Sequence, residues 1–111
     1  LHDIHVVAGK VPVTNIQQLR SAADYVRSKL ENTKAIGILA AIIEEKASLV
    51  CVVSPKLKKK YHAGKIVNSM AKIVGGKGGG RPDMAMAGGK DVKNLDKIFL
   101  PDILEKIIFE E

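Results

Sequence analysis

The chain has 111 residues, of which 46% are hydrophobic and 4% aromatic, and it carries a net charge of +6. This length corresponds to one domain with an aliphatic core. No apolar run approaches the roughly 18 residues of a membrane span, no signal peptide is visible, and the single cysteine, Cys51, cannot form an internal disulfide. We therefore expect a cytoplasmic protein with no membrane partner. Because the chain begins at Leu1 rather than Met, we also expect residues 1–111 to be a single domain from a longer protein.

The positive charge is concentrated in the middle of the chain. Residues 56–97 hold eleven basic and three acidic residues, whereas residues 1–55 and 98–111 are close to neutral and acidic, respectively. A basic segment of this kind indicates a surface for an anionic partner such as a nucleic acid. The alternative is a solvated lysine-rich face that serves only solubility.

The first third of the chain predicts a strand and a helix. Residues 4–8 are apolar enough for a short strand, and Thr14 with Gln17 fits a capping box at the start of a helix. That helix should end near Asn32. Its inward face, at helical spacing, should carry Ile16, Leu19, Ala23, Val26 and Leu30.

Two apolar runs follow, at residues 35–43 and 48–53, joined by the polar sequence Glu44-Glu45-Lys46. The pattern predicts a buried β-hairpin with the two glutamates in its turn. The first run is also long enough for a helix, but its β-branched residues favour a strand.

The second half predicts two helical regions on either side of a glycine-rich loop. Ser54-Pro55 resembles a helix start, and a later helical stretch should stop at Gly75-Gly76 because glycine adopts the left-handed cap. Residues 75–90 then form the loop. Asp91 caps a last helix that Pro101 should kink or divide. The order β-α-β-β-α-α predicts an α/β fold in which helices pack a small mixed sheet that contains a β-hairpin.

The glycine-rich segment is the most informative part of the sequence. Seven of residues 75–89 are glycine, so backbone N–H groups could form a concavity for a phosphate, with Lys77 and Arg81 at its rim. The alternative is a mobile surface loop. The segment does not fit a P-loop or a Rossmann fingerprint. Its first four residues match the GxxG loop of KH domains, which is a weak signal.

No catalytic or metal-binding residue emerges from the sequence. Asp83 has no second carboxylate or nucleophile nearby and should instead hold the loop through hydrogen bonds to backbone N–H groups. His2 and His5 would face opposite sides of a strand, so they should not share a metal ion. Cys51 should be inert core. The candidate nucleic-acid-binding residues are Lys56, Lys58, Lys59, Lys60, Tyr61, Lys77, Gly78, Gly79, Gly80, Arg81 and Lys90.

Residues 75–89 resemble the signature of the DHH-associated domain, in the branch found at the C terminus of alanyl-tRNA synthetases. That signature reads close to GGxGGGRPDxAxAGG, and Met86 departs from it where many relatives carry Gln. The matching residues are Gly75, Gly76, Gly78, Gly79, Gly80, Arg81, Pro82, Asp83, Ala85, Ala87, Gly88 and Gly89.

The resemblance implies a non-catalytic accessory domain of an alanine–tRNA ligase. Such a domain contacts the outer corner, or elbow, of tRNA and helps aminoacylation and the editing of mischarged tRNA. Its implied partners are tRNA, the catalytic and editing domains of the same chain, and a second copy in a homodimer. No cofactor is implied for the fragment, whereas ATP, magnesium and zinc are implied for the parent enzyme. Two alternatives are the substrate-binding half of a DHH-type phosphoesterase, which usually has His at the place of Arg81, and a dimerisation module built on the last helix or on Ile42 and Ile43.

Overall fold

A computed structural model describes residues 4–57 and 59–109 of the chain. Five strands form one mixed sheet in the order β1-β2-β3-β5-β4. β1 is parallel to β2, and every other neighbouring pair is antiparallel. In chain order the elements are β1 (His5–Lys10), α1 (Ile16–Leu30), β2 (Ala35–Ile43), β3 (Lys46–Val53), α2 (Ala63–Ile73), β4 (Gly76–Gly80), β5 (Met84–Gly89), a 3-10 helix (Val92–Phe99) and α3 (Pro101–Phe109).

The sheet lies between two helical layers, which confirms the predicted α/β architecture. α1 covers β2 and β3 on one face, where Leu19 and Ala23 pack against a cluster that includes Leu39 and Val50. α2, the 3-10 helix and α3 cover the other face, around a larger cluster that includes Ile38. Alternation along the strands divides the apolar residues between the two cores, so both β2 and β3 are buried almost throughout. Among the described residues, no helix has the length and apolar character needed to cross a membrane.

The start of α1 differs by one residue from the prediction. Asn15, not Thr14, is the cap, because its side-chain oxygen accepts a hydrogen bond from the Gln18 backbone N–H at 2.8 Å. Gln18, not Gln17, reaches back to the Thr14 backbone N–H, also at 2.8 Å. Ile16 was expected to point inward but is 48% exposed, because it precedes the turn of α1 that packs on the sheet.

The predicted hairpin of β2 and β3 is confirmed, with Glu44 and Glu45 at its turn. Both glutamates have positive φ angles, 52° and 66°, as the two central residues of a type I′ turn require. The apolar runs pair over their whole lengths, from Ile36 opposite Val53 to Ile43 opposite Lys46.

The prediction that Ser54 and Pro55 begin a helix is wrong. Ser54 is buried, and its hydroxyl oxygen accepts a hydrogen bond from the Ala35 backbone N–H at 3.1 Å. A turn follows, closed by the Leu57 N–H donating to the Ser54 carbonyl. α2 begins later, at Ala63, with His62 as its cap. The Ser54 hydroxyl therefore accepts a hydrogen bond from the first residue of β2 instead of capping a helix.

The prediction of a loop over residues 75–90 is also wrong, because most of these residues form the hairpin of β4 and β5. Gly75 ends α2 with a φ of 68°, as predicted, and the chain then pairs from Gly76 opposite Gly89 to Gly80 opposite Ala85. The element order is therefore longer by one hairpin than predicted. Pro101 does divide the last helical region, into the 3-10 helix and α3.

Candidate nucleic-acid interface

The turn between β4 and β5 lies beside the start of α2. The Pro82 carbonyl accepts a hydrogen bond from the Ala63 N–H at 2.9 Å, and the Asp83 carbonyl accepts one from the Val53 N–H at the same distance. These bonds place Arg81 at the same end of the molecule as the lysine-rich segment before α2. Two groups of predicted binding residues, far apart in sequence, are thus neighbours in the fold.

A cleft of about 390 Å³ opens at this end, and we call it the lysine cleft. Lys60 extends over the Tyr61 ring, with 5.9 Å between its ammonium nitrogen and the ring centroid, and the Tyr61 ring meets Phe109 edge-on. Within residues 4–57 and 59–109, no carboxylate lies within ion-pair distance of its lysines. The cleft combines apolar walls with cations that can bind phosphate. Its lining is Lys59, Lys60, Tyr61, His62, Lys65, Ile66, Ile108 and Phe109.

The other predicted lysines of this segment are placed differently. Lys56 is exposed but does not line the cleft, and Lys58 lies outside the described residues. Lys65, which the sequence reasoning missed, does line it. The sequence did contain a signal for Lys65, because Lys65 follows His62 by three residues at the start of a helix whose other face is apolar. Residues three apart on a helix are neighbours on its surface.

At the turn, Asp83 forms ion pairs with two arginine side chains. Its carboxylate lies 3.5 Å from the Arg81 Nε and 3.4 Å from a terminal nitrogen of Arg27 on α1. The Arg81 side chain is nevertheless 68% exposed, so it remains available to a ligand. The sequence predicts that Asp83 holds this segment through hydrogen bonds to backbone N–H groups, whereas the contacts of its carboxylate are with the Arg27 and Arg81 side chains.

Lys77 and Lys90 lie at the opposite end of the hairpin. They line a separate groove of about 520 Å³ together with Lys46. Lys77 and Arg81 are four positions apart in the chain, which corresponds to about 13 Å along a strand. The predicted residues therefore form two groups, not one continuous site.

The glycines of β4 differ in what the fold requires of them. A Cβ atom at Gly78 would lie 2.1 Å from the Ala87 side chain, and the Gly78 N–H donates to the Asn68 side chain of α2 at 3.3 Å. Gly80 has a φ of 153°, which L side chains rarely adopt. The fold therefore requires glycine at both positions. It does not require glycine at position 79, since a Cβ there would meet nothing within 4 Å.

A third cleft, of about 420 Å³, lies between α1 and the hairpin, and we call it the arginine groove. Arg20 stands on the α1 side and Arg81 at the hairpin turn. The sequence reasoning missed Arg20, although it sits directly beside Leu19 at the border of the apolar face of α1. The remaining lining residues are Gly79, Gly80, Met84, Ala85 and Met86.

Metal ligands are not gathered anywhere in the part of the chain that the structure describes. No three His, Cys, Asp or Glu side chains there form a group that could hold a metal ion. His5 lies on β1, and His2 is outside the described residues. Cys51 is buried in the core, as predicted.

Comparison with known proteins identifies the family. The model of the DHHA1 domain matches residues 3–108. The chain belongs to the DHHA1 domain family. The signature that suggested this family spans β4, the turn and β5, so the DHHA1 motif is a glycine-rich hairpin at the edge of the sheet.

The similar proteins are alanine–tRNA ligases. The chain is 41% identical over 106 residues to the enzyme of Roseiflexus castenholzii, 44% over 92 residues to that of Desulfitobacterium hafniense and 39% over 109 residues to that of Staphylococcus saprophyticus. The three matches cover 95%, 83% and 96% of this chain but only 11%, 10% and 12% of the relatives. It thus spans about a tenth of their length.

A solved structure shares the fold of this DHHA1 domain. The C-Ala domain of alanyl-tRNA synthetase from Aquifex aeolicus superposes with a TM-score of 0.79 at 27% sequence identity. The match covers 93% of this chain and 89% of the other. The predicted resemblance to the alanyl-tRNA synthetase branch is therefore confirmed.

Proposed function

We propose that this DHHA1 domain is the tRNA-binding accessory module of an alanine–tRNA ligase. It contacts the elbow of tRNA and thereby helps one bound tRNA to serve both aminoacylation and editing. The observation that carries the proposal is the lysine cleft beside Arg81, where Lys59, Lys60 and Lys65 have no carboxylate within 4.0 Å among the described residues. Such an array suits the phosphates of a folded RNA.

The chemistry of the cleft favours recognition of shape over base sequence. Lysine ammonium groups bind phosphate as point charges and carry no sequence information. Tyr61 is the one aromatic residue among the predicted binding residues, and its ring already contacts Phe109. A surface of this kind follows the backbone geometry of double-stranded RNA, whose deep major groove hides the base edges.

Catalysis belongs to other parts of the proposed parent enzyme. The fragment is expected to need no cofactor, while ATP, magnesium and zinc would bind in the catalytic and editing domains of the same chain. Alone, the fragment should neither charge tRNA nor release alanine from mischarged tRNA. Steady release of alanine by the purified fragment would contradict this assignment.

The experiment that tests the proposal is a titration of the fragment with tRNA at several salt concentrations. Replacing Lys59, Lys60 and Lys65 by Ala should weaken binding and flatten the slope of log affinity against log salt by about 0.7–0.9 for each lost phosphate contact. The control removes three exposed lysines that do not line the cleft, and it should leave the slope close to that of the wild type. Its substitutions are Lys72→Ala, Lys93→Ala and Lys97→Ala. Equal slopes for the two triple variants would place tRNA elsewhere.

Neither alternative function gains support from the described residues. Arg81 stands where DHH phosphoesterases usually have His. For dimerisation, Ile43, Ile107 and Ile108 are buried in the cores, whereas Ile42 and Leu100 are exposed. Sedimentation of the fragment measures its oligomeric state directly, and a stable dimer would give the homodimer its first support.

A further inference from the structure

The floor of the arginine groove is only partly covered by the described structure, because Met86 is half-buried whereas Met84 is buried. Residues of β5 alternate between the two faces of the sheet, and Met84 and Met86 lie on the same face as Val52 and Val50 of β3. α1 packs over β2 and β3 on this face and leaves the hairpin beyond them open. The register places Gly79 opposite Met86, so the bare backbone of β4 faces the same groove.

Gly79 is a glycine that the fold does not require. Its φ is outside the left-handed region, and the space above it is empty to 4 Å. A strand residue with a side chain would fit there and would lose less entropy on folding than glycine does. The bare backbone at this position is therefore suited to the close approach of a ligand.

Two guanidinium groups flank that bare backbone. Arg20 has no carboxylate within 4.0 Å among residues 4–57 and 59–109, and Arg81 keeps most of its side chain in solvent. Arginine pairs suit phosphate because each planar guanidinium can donate two parallel hydrogen bonds. Met86, which is half-buried, supplies polarizable, apolar surface for a ribose or a base edge beside that phosphate, whereas Met84 packs beneath it in the core.

We propose that Arg20 and Arg81 hold one phosphodiester of the bound tRNA over Gly79, in the arginine groove. This inference rests on the proposed function and adds a second contact region, on the opposite side of the turn from the lysine cleft. Arg20 would be a tRNA-binding residue supplied by α1, outside the glycine-rich signature. The turn residue Arg81 would then join the two regions into one surface.

The charge of the groove is tested with a matched pair of substitutions on α1. Arg20→Ala should weaken binding of intact alanine tRNA about tenfold, the size of a lost charge-assisted contact. It should also lower the salt slope by about 0.7–0.9. Lys29→Ala removes the same charge nine residues along the helix, about 180° around its axis, and should change affinity by less than about twofold.

The approach to the backbone is tested with a second matched pair. Gly79→Val and Gly9→Val each add a side chain where a Cβ would meet nothing, the first in the groove and the second on the far edge strand β1. Both variants should melt like the wild type. Only Gly79→Val should weaken tRNA binding, and Gly79→Ala should have a smaller effect in the same direction.

The outcomes separate this inference from the proposed function. Wild-type binding that survives both Arg20→Ala and Gly79→Val would overturn the groove and leave the lysine cleft standing. No tRNA binding by the wild type would overturn both. Titration with AMP distinguishes the source of the phosphate: saturation of the groove by AMP that tRNA does not displace would make it a site for a free nucleotide and would also overturn the inference.

Discussion

The guanidinium of Arg27 on α1 lies 3.4 Å from the carboxylate of Asp83, 56 residues away at the turn between β4 and β5. Arg27 also lies 3.4 Å from Asp24, one helical turn earlier. The pair of Arg27 with Asp83 connects the helix that carries Arg20 to the turn that carries Arg81. The pair with Asp24 lies within α1 and holds the Arg27 side chain on the helix.

Breaking this connection should have a small effect on stability and a larger one on binding. The paired side chains are 37% and 34% exposed, so a double-mutant cycle of Arg27→Ala and Asp83→Ala should give a coupling free energy of about 0.5 kcal/mol. Affinity for tRNA should fall more in Asp83→Ala than this coupling accounts for, because Arg81 loses its restraint as well. Urea unfolding and tRNA titration of the four proteins measure both quantities. A zero coupling energy would show that the pair does not join α1 to the turn.

The β2–β3 turn offers a stability test that is independent of RNA. Glu44 and Glu45 occupy left-handed backbone, which is unfavourable for residues with a Cβ and is typical of Asn-Gly in type I′ turns. The double substitution Glu44→Asn with Glu45→Gly should therefore raise the free energy of unfolding by about 1 kcal/mol. Glu44→Gln with Glu45→Gln removes the same charges without easing the backbone and serves as the control. A control that stabilises equally would assign the gain to charge.

The predictable parts of the fold are those where apolar periodicity is strong. The paired runs that became β2 and β3 and the helix ending at Gly75 needed no tertiary information. β4 could not be predicted in the same way, because the sequence Gly-Lys-Gly-Gly-Gly has low strand propensity and no apolar alternation. β4 forms because it pairs with β5. The sequence signal for β5 was the alternation of methionine and alanine from Met84 to Ala87, which is typical of a strand.

The candidate site shows a similar division. Sequence reasoning identified the cations near the glycine-rich signature but missed Arg20. Arg20 lies on α1, and only the folded arrangement of α1 and the β4–β5 hairpin brings it beside Gly79. It also treated the glycines as equivalent. Their different roles depend on neighbours such as Ala87, and these became visible only with the fold.

His62 allows helix capping and RNA binding to be separated. Its Nδ1 accepts the Gly64 N–H at 3.0 Å, and its ring lines the lysine cleft. His62→Asp and His62→Asn both supply a good cap oxygen, so both should preserve or slightly raise the melting temperature. Only Asp adds a negative charge beside the cleft lysines, so it alone should weaken tRNA binding several-fold. Equal affinities for the two variants would remove the cleft from the binding surface.

The last prediction concerns which part of tRNA the domain recognises. A surface of lysines and arginines reads the path of the backbone, and every intact tRNA presents the same L-shaped corner. Alanine tRNA and a non-cognate tRNA should therefore bind with similar affinity. An isolated acceptor-stem hairpin should bind much more weakly, because it offers one short helix and no corner.

The measurement is a titration of the fragment with these three RNAs at one fixed salt concentration, since salt alone changes such affinities greatly. The same titrations with Arg20→Ala extend the test. If the arginine groove binds only RNA that spans the full surface, this substitution should lower the affinity for intact tRNA and change the affinity for the hairpin little. Strong preference for the alanine acceptor hairpin would contradict elbow binding. It would require direct contacts to base edges, which the long, exposed lysines of the cleft are poorly suited to make with an A-form helix.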